Sequence, residues 1–368
     1  KAQKITTESA FTTNRFKWGD VITSTLAIPT AGTDIAGAVA TLTDTSSGAG
    51  GAAGAGTGLT VSLSASTAGS STLVAGQGMA NLATFNFTAS NDGAVKVTSL
   101  KVKRIGIGVD TTLPAIYLYD GKTRLTDSAS VSSTYITWNN SAGIFTADKG
   151  ATKSITVKSN IAASTAGQTI GIGVQAAVDV TTDGASVSGT FPVNGNIHSI
   201  AAGTPGTVSF ATTVTPSTNT ALDPQDDFTL WQNTVSVGTR AASLESITFR
   251  QIGSILQSDL KKFRLFIAGV QVGDTVEQMD ASGYITFDLS AAPKSLTATD
   301  HVVKVLVNIV GGSSRTTSLS LQRTADATFI DSELNVPILV QANSTTFSAR
   351  TSGTQTITTG TLTITKKT

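Results

Sequence analysis

Hydrophobic and polar residues alternate along most of the chain with a period of two. Apolar side chains at every second position are separated by Thr, Ser, Lys or Gly at residues 59–63, 116–118, 155–157 and 170–174. This alternation is typical of half-buried antiparallel strands, and Asp-Gly pairs such as the one at 120–121 supply turns between them. No segment keeps a helical period for three turns. We therefore predict an all-β chain.

The alternating pattern occurs twice at a constant offset. Residues 100–106 (LKVKRIG) align with residues 247–253 (ITFRQIG), 147 positions later (247 minus 100). Further matches at 147 or 148 positions keep the apolar residues in phase: 116–118 with 263–265, 155–157 with 303–305, 172–175 with 319–322, and Asp179 with Asp326. A repeat of this length suits one β-sandwich. We predict two tandem Ig-like β-sandwich domains, at 59–203 and 204–353.

Two segments lie outside the repeats at the N-terminal side and one at the C-terminal side. Residues 1–58 form a predicted N-terminal arm and a Gly/Ala-rich spacer, and the arm carries Phe11, Phe16 and Trp18 as candidate contacts with a neighbouring subunit. An extended spacer reaches about 3.3 Å per residue, enough to bring the arm to another molecule. Residues 354–368 form a predicted C-terminal extra strand.

The C-terminal strand repeats the sequence that opens the second domain. Residues 200–204 (IAAGT) recur as 357–361 (ITTGT), followed by alternating Leu362 and Ile364. Two interpretations stay open. The strand either folds back and closes the second domain, or it is donated to an open sheet edge of the next subunit, with Ile357, Leu362 and Ile364 as the polymerisation residues. Donation is a head-to-tail contact that propagates without closing.

Several segments resemble a known family. Residues 58–67 (GLTVSLSAST), 83–89 (ATFNFTA) and 117–121 (YLYDG) are similar to the repeated Ig-like domains of secreted surface-layer and filament proteins of prokaryotes. The resemblance covers roughly residues 58–368 and rests on strand and turn patterns. It implies an extracellular structural role at the cell surface without an active site, and it does not choose between a lattice and a fibre.

Composition narrows the function further. Charged residues make up 13% of the chain, about half the usual share, and the net charge is +1. Scattered, balanced charge argues against a nucleic-acid partner. The chain has no Cys, which excludes disulfides and thiolate sites, and its longest apolar-looking stretch, 26–42, is too short and too polar to span a membrane. A weakly charged surface suits a subunit that packs against copies of itself.

Candidate chemistry is sparse. His198 and His301 lack a nearby Ser-Asp constellation, and we predict that both are solvated or capping histidines and that the chain is not an enzyme. Tyr117, Tyr119, Tyr135 and Trp138 could form a sugar-stacking face, which keeps cell-wall or surface glycans open as partners.

Two further kinds of site rest on short signals. A cluster of Asp223, Asp226 and Asp227 before the second repeat is a weak candidate for calcium, and we otherwise expect no cofactor. Three N-x-Ser/Thr sequons occur at Asn86, Asn139 and Asn343, of which the last two are the better glycosylation candidates because Asn86 lies within a predicted strand.

These observations favour a self-assembling extracellular structural protein, a homopolymer that forms a surface filament by head-to-tail strand donation. A surface-layer lattice built from the same parts is the first alternative. A monomeric glycan-binding adhesin is the second.

Overall fold

The period-two pattern becomes strands whose side chains alternate between core and surface. In the computed structural model, which describes residues 56–344 and 346–358, strand β4 (Val95–Ile105) buries Val95, Val97, Leu100 and Val102, while the residues between them stay partly exposed. The prediction of an all-β chain with Ig-like sandwiches is confirmed. The arm residues Phe11, Phe16 and Trp18 lie outside the described residues.

The strands follow one another in the same order in the two halves. The first half contains β1 Gly58–Leu63, β2 Thr72–Val74, β3 Ala80–Ala89, β4 Val95–Ile105, β5 Ile116–Asp120, β6 Thr123–Arg124, β7 Tyr135–Asn139, β8 Phe145–Ala147, β9 Thr152–Ser159, β10 Thr169–Val174, β11 Val180–Thr182, β12 Ser186–Gly189, β13 Val193–Asn194 and β14 His198–Ala201. The second half contains β15 Thr207–Phe210, β16 Asn219–Leu222, β17 Phe228–Gly238, β18 Ala242–Ile252, β19 Leu260–Ile267, β20 Val270–Val276, β21 Tyr284–Asp288, β22 Lys294–Leu296, β23 Asp300–Ile309, β24 Thr316–Leu321, β25 Ala327–Asp331, β26 Gln341–Ala342, β27 Arg350–Thr351 and β28 Gln355–Ile357. Short 3-10 turns lie at Asp110–Thr112, Ala177–Asp179, Gln257–Asp259 and Thr324–Asp326.

Each half pairs a six-stranded sheet with an eight-stranded sheet. In the first half the six-stranded order is β12-β1-β3-β9-β5-β6, and the eight-stranded sheet is built on β11-β4-β10-β14-β2. In the second half the orders are β20-β19-β23-β17-β15-β26 and β16-β28-β24-β18-β21, with shorter strands added to each larger sheet. Each pair of sheets encloses a hydrophobic core of its own. We call the two halves the first and the second sandwich; the predicted boundaries at 58, 203 and 353 stay predictions.

Strand registers reproduce the offset read from the sequence. Val180 pairs with Leu100 in the first sandwich, and Ala327 pairs with Ile247 in the second, each 147 positions later. Tyr119 pairs with Thr156, and Phe266 pairs with Lys304, 147 and 148 positions later. Equivalent residues of the two sandwiches can therefore be compared one by one.

One set of side-chain hydrogen bonds is repeated together with the strands. The Asp179 Oδ2 accepts hydrogen bonds from the backbone N–H groups of Gln175 and Ala176 at 3.2 and 3.1 Å, and thereby closes the 3-10 turn Ala177–Asp179. Asp326 Oδ2 does the same for the turn Thr324–Asp326. These carboxylates hold two turns in the same conformation, because each satisfies donors that the turn leaves unpaired.

The segment around Ile357 belongs to the second sandwich. Strand β28 pairs with β24 and β16, and Ile357 is buried in the second core, just as Ile200 of β14 is buried in the first. Of the two interpretations left open for the C-terminal strand, the structure agrees with folding back as far as Ile357, which was also a candidate polymerisation residue. Leu362 and Ile364 lie outside the described residues, so donation of that part stays a prediction. No helix in the described ranges has the length and apolarity needed to cross a membrane.

Candidate functional site

The two sandwiches meet at a small apolar patch, which we call the junction. Alternation in β5 turns Ile116 and Leu118 into the first core, so Tyr117 and Tyr119 project from the outer face of the sheet. Both tyrosines are nevertheless buried, because they pack with Met79 against Ala325 of the second sandwich. Aromatic side chains cover a large area with few rotatable bonds and suit such an anchor.

Tyr119 also makes the central hydrogen bond of the junction. Its hydroxyl donates to the backbone carbonyl oxygen of Ala325 at 2.9 Å, and the Lys158 ammonium lies 4.6 Å from its ring centroid. Burial raises the pKa of Tyr119 well above its usual value, and the negative charge of Asp326 adds to the effect. Tyr119 therefore stays a neutral donor at physiological pH.

A buried ion pair lies next to this hydrogen bond. Arg124 Nε donates to Asp326 Oδ1 at 3.0 Å, and the two side chains are only 10% and 4% exposed. Burial lowers the pKa of Arg124, but the charge and hydrogen bond of Asp326 outweigh burial and raise it overall. Burial raises the pKa of Asp326, which Arg124 opposes. Asp326 thus uses one oxygen to hold its own turn and the other to bind the first sandwich.

Two exposed ion pairs flank the buried one. Lys122 Nζ donates to Asp288 Oδ1 at 2.7 Å, and Arg323 Nη2 donates to Asp127 Oδ1 at 2.9 Å. The hydrogen bond from Lys122, followed by those from Ser290, lowers the pKa of Asp288 to about 2. Exposed pairs of this kind contribute about 0–1 kcal/mol each, so they orient the junction more than they stabilise it.

The backbones touch at one edge of the junction. Gly78 donates its N–H to the Pro337 carbonyl oxygen at 2.9 Å. A Cβ at this position would lie 2.7 Å from the Ile338 carbonyl oxygen, closer than real Cβ atoms come to other atoms. The close approach therefore requires glycine at residue 78.

A polar cleft of ≈ 750 Å³ opens beside the junction. Its lining includes Arg124, Arg250, Arg323, Tyr284, Trp138 and Asn139. The Arg250 guanidinium lies 5.5 Å from the Tyr284 ring centroid, and Trp138 Nε1 is buried without an acceptor among the residues that the structure describes. The lining of the cleft therefore combines guanidinium groups with aromatic rings.

The predicted sugar-stacking aromatics do not share a face. Tyr117 and Tyr119 are buried at the junction, and Trp138 is buried in the first core at the edge of the cleft. Tyr135 lies on the outer face of β7 with the Lys101 ammonium 4.1 Å from its ring centroid. Two of the four predicted residues therefore join the sandwiches to each other.

The structure does not bring the three predicted calcium ligands together. Asp223, Asp226 and Asp227 are exposed; Asp227 pairs with Arg264, and Asp223 accepts a hydrogen bond from the Thr358 hydroxyl. No group of three or more His, Cys, Asp or Glu residues within 56–344 and 346–358 is arranged to hold a metal ion. Asp227 is held by Arg264 of β19, and Asp223 is held by Thr358, just after β28.

The two histidines differ in burial. His198 is fully buried, where its Nδ1 bonds with the Ser71 hydroxyl at 2.9 Å and its Nε2 with the Leu82 carbonyl oxygen at 3.1 Å. The prediction that it is solvated or capping is therefore wrong, because β14 closes the first core. His301 is half-buried and its Nε2 bonds with the Thr297 carbonyl oxygen.

The three sequons lie in different settings. Asn86 is half-buried within β3, where its Oδ1 accepts a hydrogen bond from the Ser154 hydroxyl. Asn139 is exposed at the end of β7 and lines the cleft, and Asn343 is exposed after β26. Glycosylation of these residues stays a prediction.

Sequence reasoning missed the residues of the junction. Arg124, Lys122 and Ala325 carry no motif, and Asp326 stood out only because it matches Asp179 in the repeat. The available signal was a difference between the repeats, because Val178 and Ala325 occupy equivalent positions in turns that share Gln175/Gln322 and Asp179/Asp326.

No protein-family model matches this chain, and no curated protein matches its sequence. Among solved structures, the chain is similar to the C-terminal domain of the AgI/II polypeptide BspA of Streptococcus agalactiae, with 8% identity, a TM-score of 0.19 and coverage of 80% of this chain and 99% of that chain. It is also similar to the C-terminal domain of the antigen I/II-family protein AspA of Streptococcus pyogenes, with 8% identity, a TM-score of 0.18 and coverage of 80% and 98%. Superpositions at this level carry no argument about kinship or function.

Proposed function

We propose that this chain is an extracellular structural protein of the cell surface, a subunit that assembles head-to-tail into a filament. The observation that carries the proposal is the junction, where two tandem sandwiches are joined by buried tyrosines and a buried Arg124–Asp326 pair. Such a joint makes the two sandwiches one structural unit, which suits a subunit that bears load. The weakly charged, cysteine-free composition agrees with close packing of copies.

Strand donation is the proposed link between subunits. Strand β28 ends at Ile357, and Thr358 still donates its N–H to the Leu222 carbonyl oxygen of the second sandwich. The following residues repeat the alternation of β15, with Leu362 and Ile364 as the apolar positions. A candidate acceptor is the outer edge of β12, which ends the first six-stranded sheet and has mostly exposed residues.

Electron microscopy of the purified chain tests the proposal, and a variant that lacks residues 359–368 tests the link. We expect fibres from the full chain and dispersed particles from the shortened one, which keeps Ile357 and Thr358 and so should melt at the same temperature. Two-dimensional arrays would favour the surface-layer alternative instead. Dispersed particles from the full chain at all concentrations would contradict assembly, and fibres from the shortened chain would contradict strand donation.

The cleft favours a second candidate function, a glycan-binding adhesin. Arg250 stacked on Tyr284 offers both a hydrogen-bond donor and an aromatic surface, the combination that suits an acidic sugar. Glycan-array binding by the full chain tests it, with Arg250→Ala as the site variant and Arg264→Ala, on a different sheet, as the control. Binding lost only in Arg250→Ala would support the adhesin; binding unaffected by that variant would contradict the cleft as its site.

A further inference from the structure

We propose that the junction is repeated between molecules: the 3-10 turn Ala177–Asp179 of one copy docks on the outer face of β19 and β23 of another. This inference deepens the proposed head-to-tail assembly and rests on it. It names two surfaces, which we call the turn face and the sheet face. The turn face consists of Val178 with Lys101, Lys103 and Tyr135, and the sheet face consists of Phe266, Arg264 and Leu306.

Among residues 56–344 and 346–358, nothing covers the turn face in the way that Tyr119 covers its equivalent. Within the chain, the turn Thr324–Asp326 places Ala325 against Tyr119, where Ala325 is 7% exposed. The equivalent residue of the first sandwich, Val178, is 87% exposed, more than any other large apolar residue in the described part of the chain. Asp179 holds its turn as Asp326 does, so the two turns present these residues in the same way.

The sheet face is equivalent to the surface that receives the turn inside the chain. Tyr119 and its neighbour Lys158 lie on the outer face of β5 and β9, and their equivalents by offset and register are Phe266 on β19 and Leu306 on β23. Both are half-buried and point away from the second core, since Leu265 and Val305 fill that core. The second sandwich thus keeps apolar residues at these two positions, whereas Arg264 stands at the position of Tyr117.

The turn face and the sheet face are each more apolar than the junction at one central position. Phe266 lacks the hydroxyl with which Tyr119 binds Ala325, and Val178 adds two methyl groups relative to Ala325. A polar contact inside the chain therefore has an apolar counterpart between chains, which is stabilised by the apolar surface that it removes from water.

The charges at the junction and on the free surfaces are arranged differently. Two of the three ion pairs of the junction set basic Lys122 and Arg124 of the receiving sheet against acidic Asp288 and Asp326. The third pair, Arg323 with Asp127, runs the other way. On the free surfaces the bases, Lys101 and Lys103, lie beside the turn face, and exposed acids, Asp274 and Glu277, lie on or next to β20 at the edge of the receiving sheet. Complementary charge orients the encounter of two such surfaces.

A contact between different surfaces of the same protein propagates. The turn face belongs to the first sandwich and the sheet face to the second, so each molecule that docks offers a new sheet face for the next one. The resulting row alternates first and second sandwiches with one type of joint throughout. This arrangement uses an acceptor surface distinct from the β12 edge, and it can be tested separately from strand donation.

Disulfide trapping tests the contact directly, because the chain has no cysteine of its own. Val178→Cys protein is mixed with Phe266→Cys protein that carries a tag of different mass, and the mixture is treated with a mild oxidant or a short bis-maleimide. We expect mixed dimers as the main cross-linked product. The control mixes Ile107→Cys with Phe266→Cys, because Ile107 is 74% exposed but lies on the loop beyond β4. Equal yields from the control, or a majority of Val178→Cys homodimers, would overturn the proposal.

A charge substitution tests how much the docking contact contributes to assembly. Val178→Asp should raise the concentration needed for fibres about tenfold, as expected when one buried Val is lost from each contact. Ile107→Asp should leave that concentration unchanged, and both variants should keep the melting temperature because both residues are exposed. Unchanged fibres from Val178→Asp, together with their loss on removal of residues 359–368, would refute the docking while the proposed function stands. Specific cross-links without fibres from the full chain would refute the filament and leave the docking in place.

Discussion

The turns Ala177–Asp179 and Thr324–Asp326 have the same 3-10 conformation and the same hydrogen bonds to a carboxylate, yet within the described part of the chain only the second is covered. Ala325 is buried against the first sandwich and Asp326 pairs with Arg124 there, whereas Val178 is 87% exposed. Asp179 is also buried, but outside its own turn it pairs with the half-exposed Lys101 of the same sandwich, at 3.9 Å. The comparison indicates that the two repeats keep the residues that stabilise each sandwich internally. Its divergent positions mark where a sandwich meets something else. Predictions that exchange or remove these positions test the comparison.

The largest effect should come from the buried ion pair. Arg124→Ala leaves Asp326 buried without its partner, and loss of one member of a buried pair costs about 3–5 kcal/mol of unfolding free energy. Lys101→Ala removes the charged partner of Asp179 and should cost less than about 1 kcal/mol, because Lys101 is half-exposed. Urea denaturation of the two variants measures both losses.

A double variant separates the charge from the packing. Arg124→Met combined with Asp326→Asn removes both charges, so it should recover much of the stability that Arg124→Ala loses. Equal losses for Arg124→Ala and Lys101→Ala would contradict the view that the two aspartates differ in role.

Exchange of the two divergent residues should have a smaller effect. Ala325→Val adds two methyl groups to a packed junction and should cost about 1–3 kcal/mol, the usual range for overpacking. Val178→Ala changes an exposed side chain and should stay within about 0.5 kcal/mol of the parent chain. Thermal denaturation at low protein concentration, where copies do not associate, gives the comparison. A loss in Val178→Ala as large as in Ala325→Val would mean that the exposed turn contributes to its own fold.

The sequence was sufficient for the features that depend on local pattern. Alternation predicted the strands, and the offset of 147 predicted that Asp179 and Asp326 are equivalent, because both depend on backbone geometry that each sandwich repeats. The junction could not be predicted in this way. Tyr119 and Ala325 are 206 positions apart, and nothing in either segment states that the outer face of β5 is covered. The same limit explains His198, whose partners Ser71 and Leu82 lie 127 and 116 positions away in the sequence.

The smallest effect concerns the exposed pair at the rim of the junction, where the sandwiches differ again. Asp288 ends β21 and bonds with Lys122, whereas Asn139 ends the matching strand β7 and carries no charge. The pKa of Asp288 is lowered from its ordinary 3.8 to about 2, first by Lys122. A carboxylate with a lowered pKa in the folded state contributes stability that is present above its ordinary pKa and is lost as the pH falls through the folded value.

Replacement of Lys122 should therefore lower the stability at pH 5 but not at pH 2. In Lys122→Met the pKa of Asp288 should rise toward 3.8, although the hydrogen bonds from Ser290 keep part of the shift. The urea midpoint of the parent chain should exceed that of Lys122→Met slightly at pH 5, and the difference should vanish near pH 2. Asp288→Asn, which gives the second sandwich the residue of the first, should make the midpoint difference between Lys and Met at position 122 independent of pH. A difference in midpoint that is the same at pH 2 and pH 5 with Asp288 in place would show that Lys122 acts through packing and not through the carboxylate.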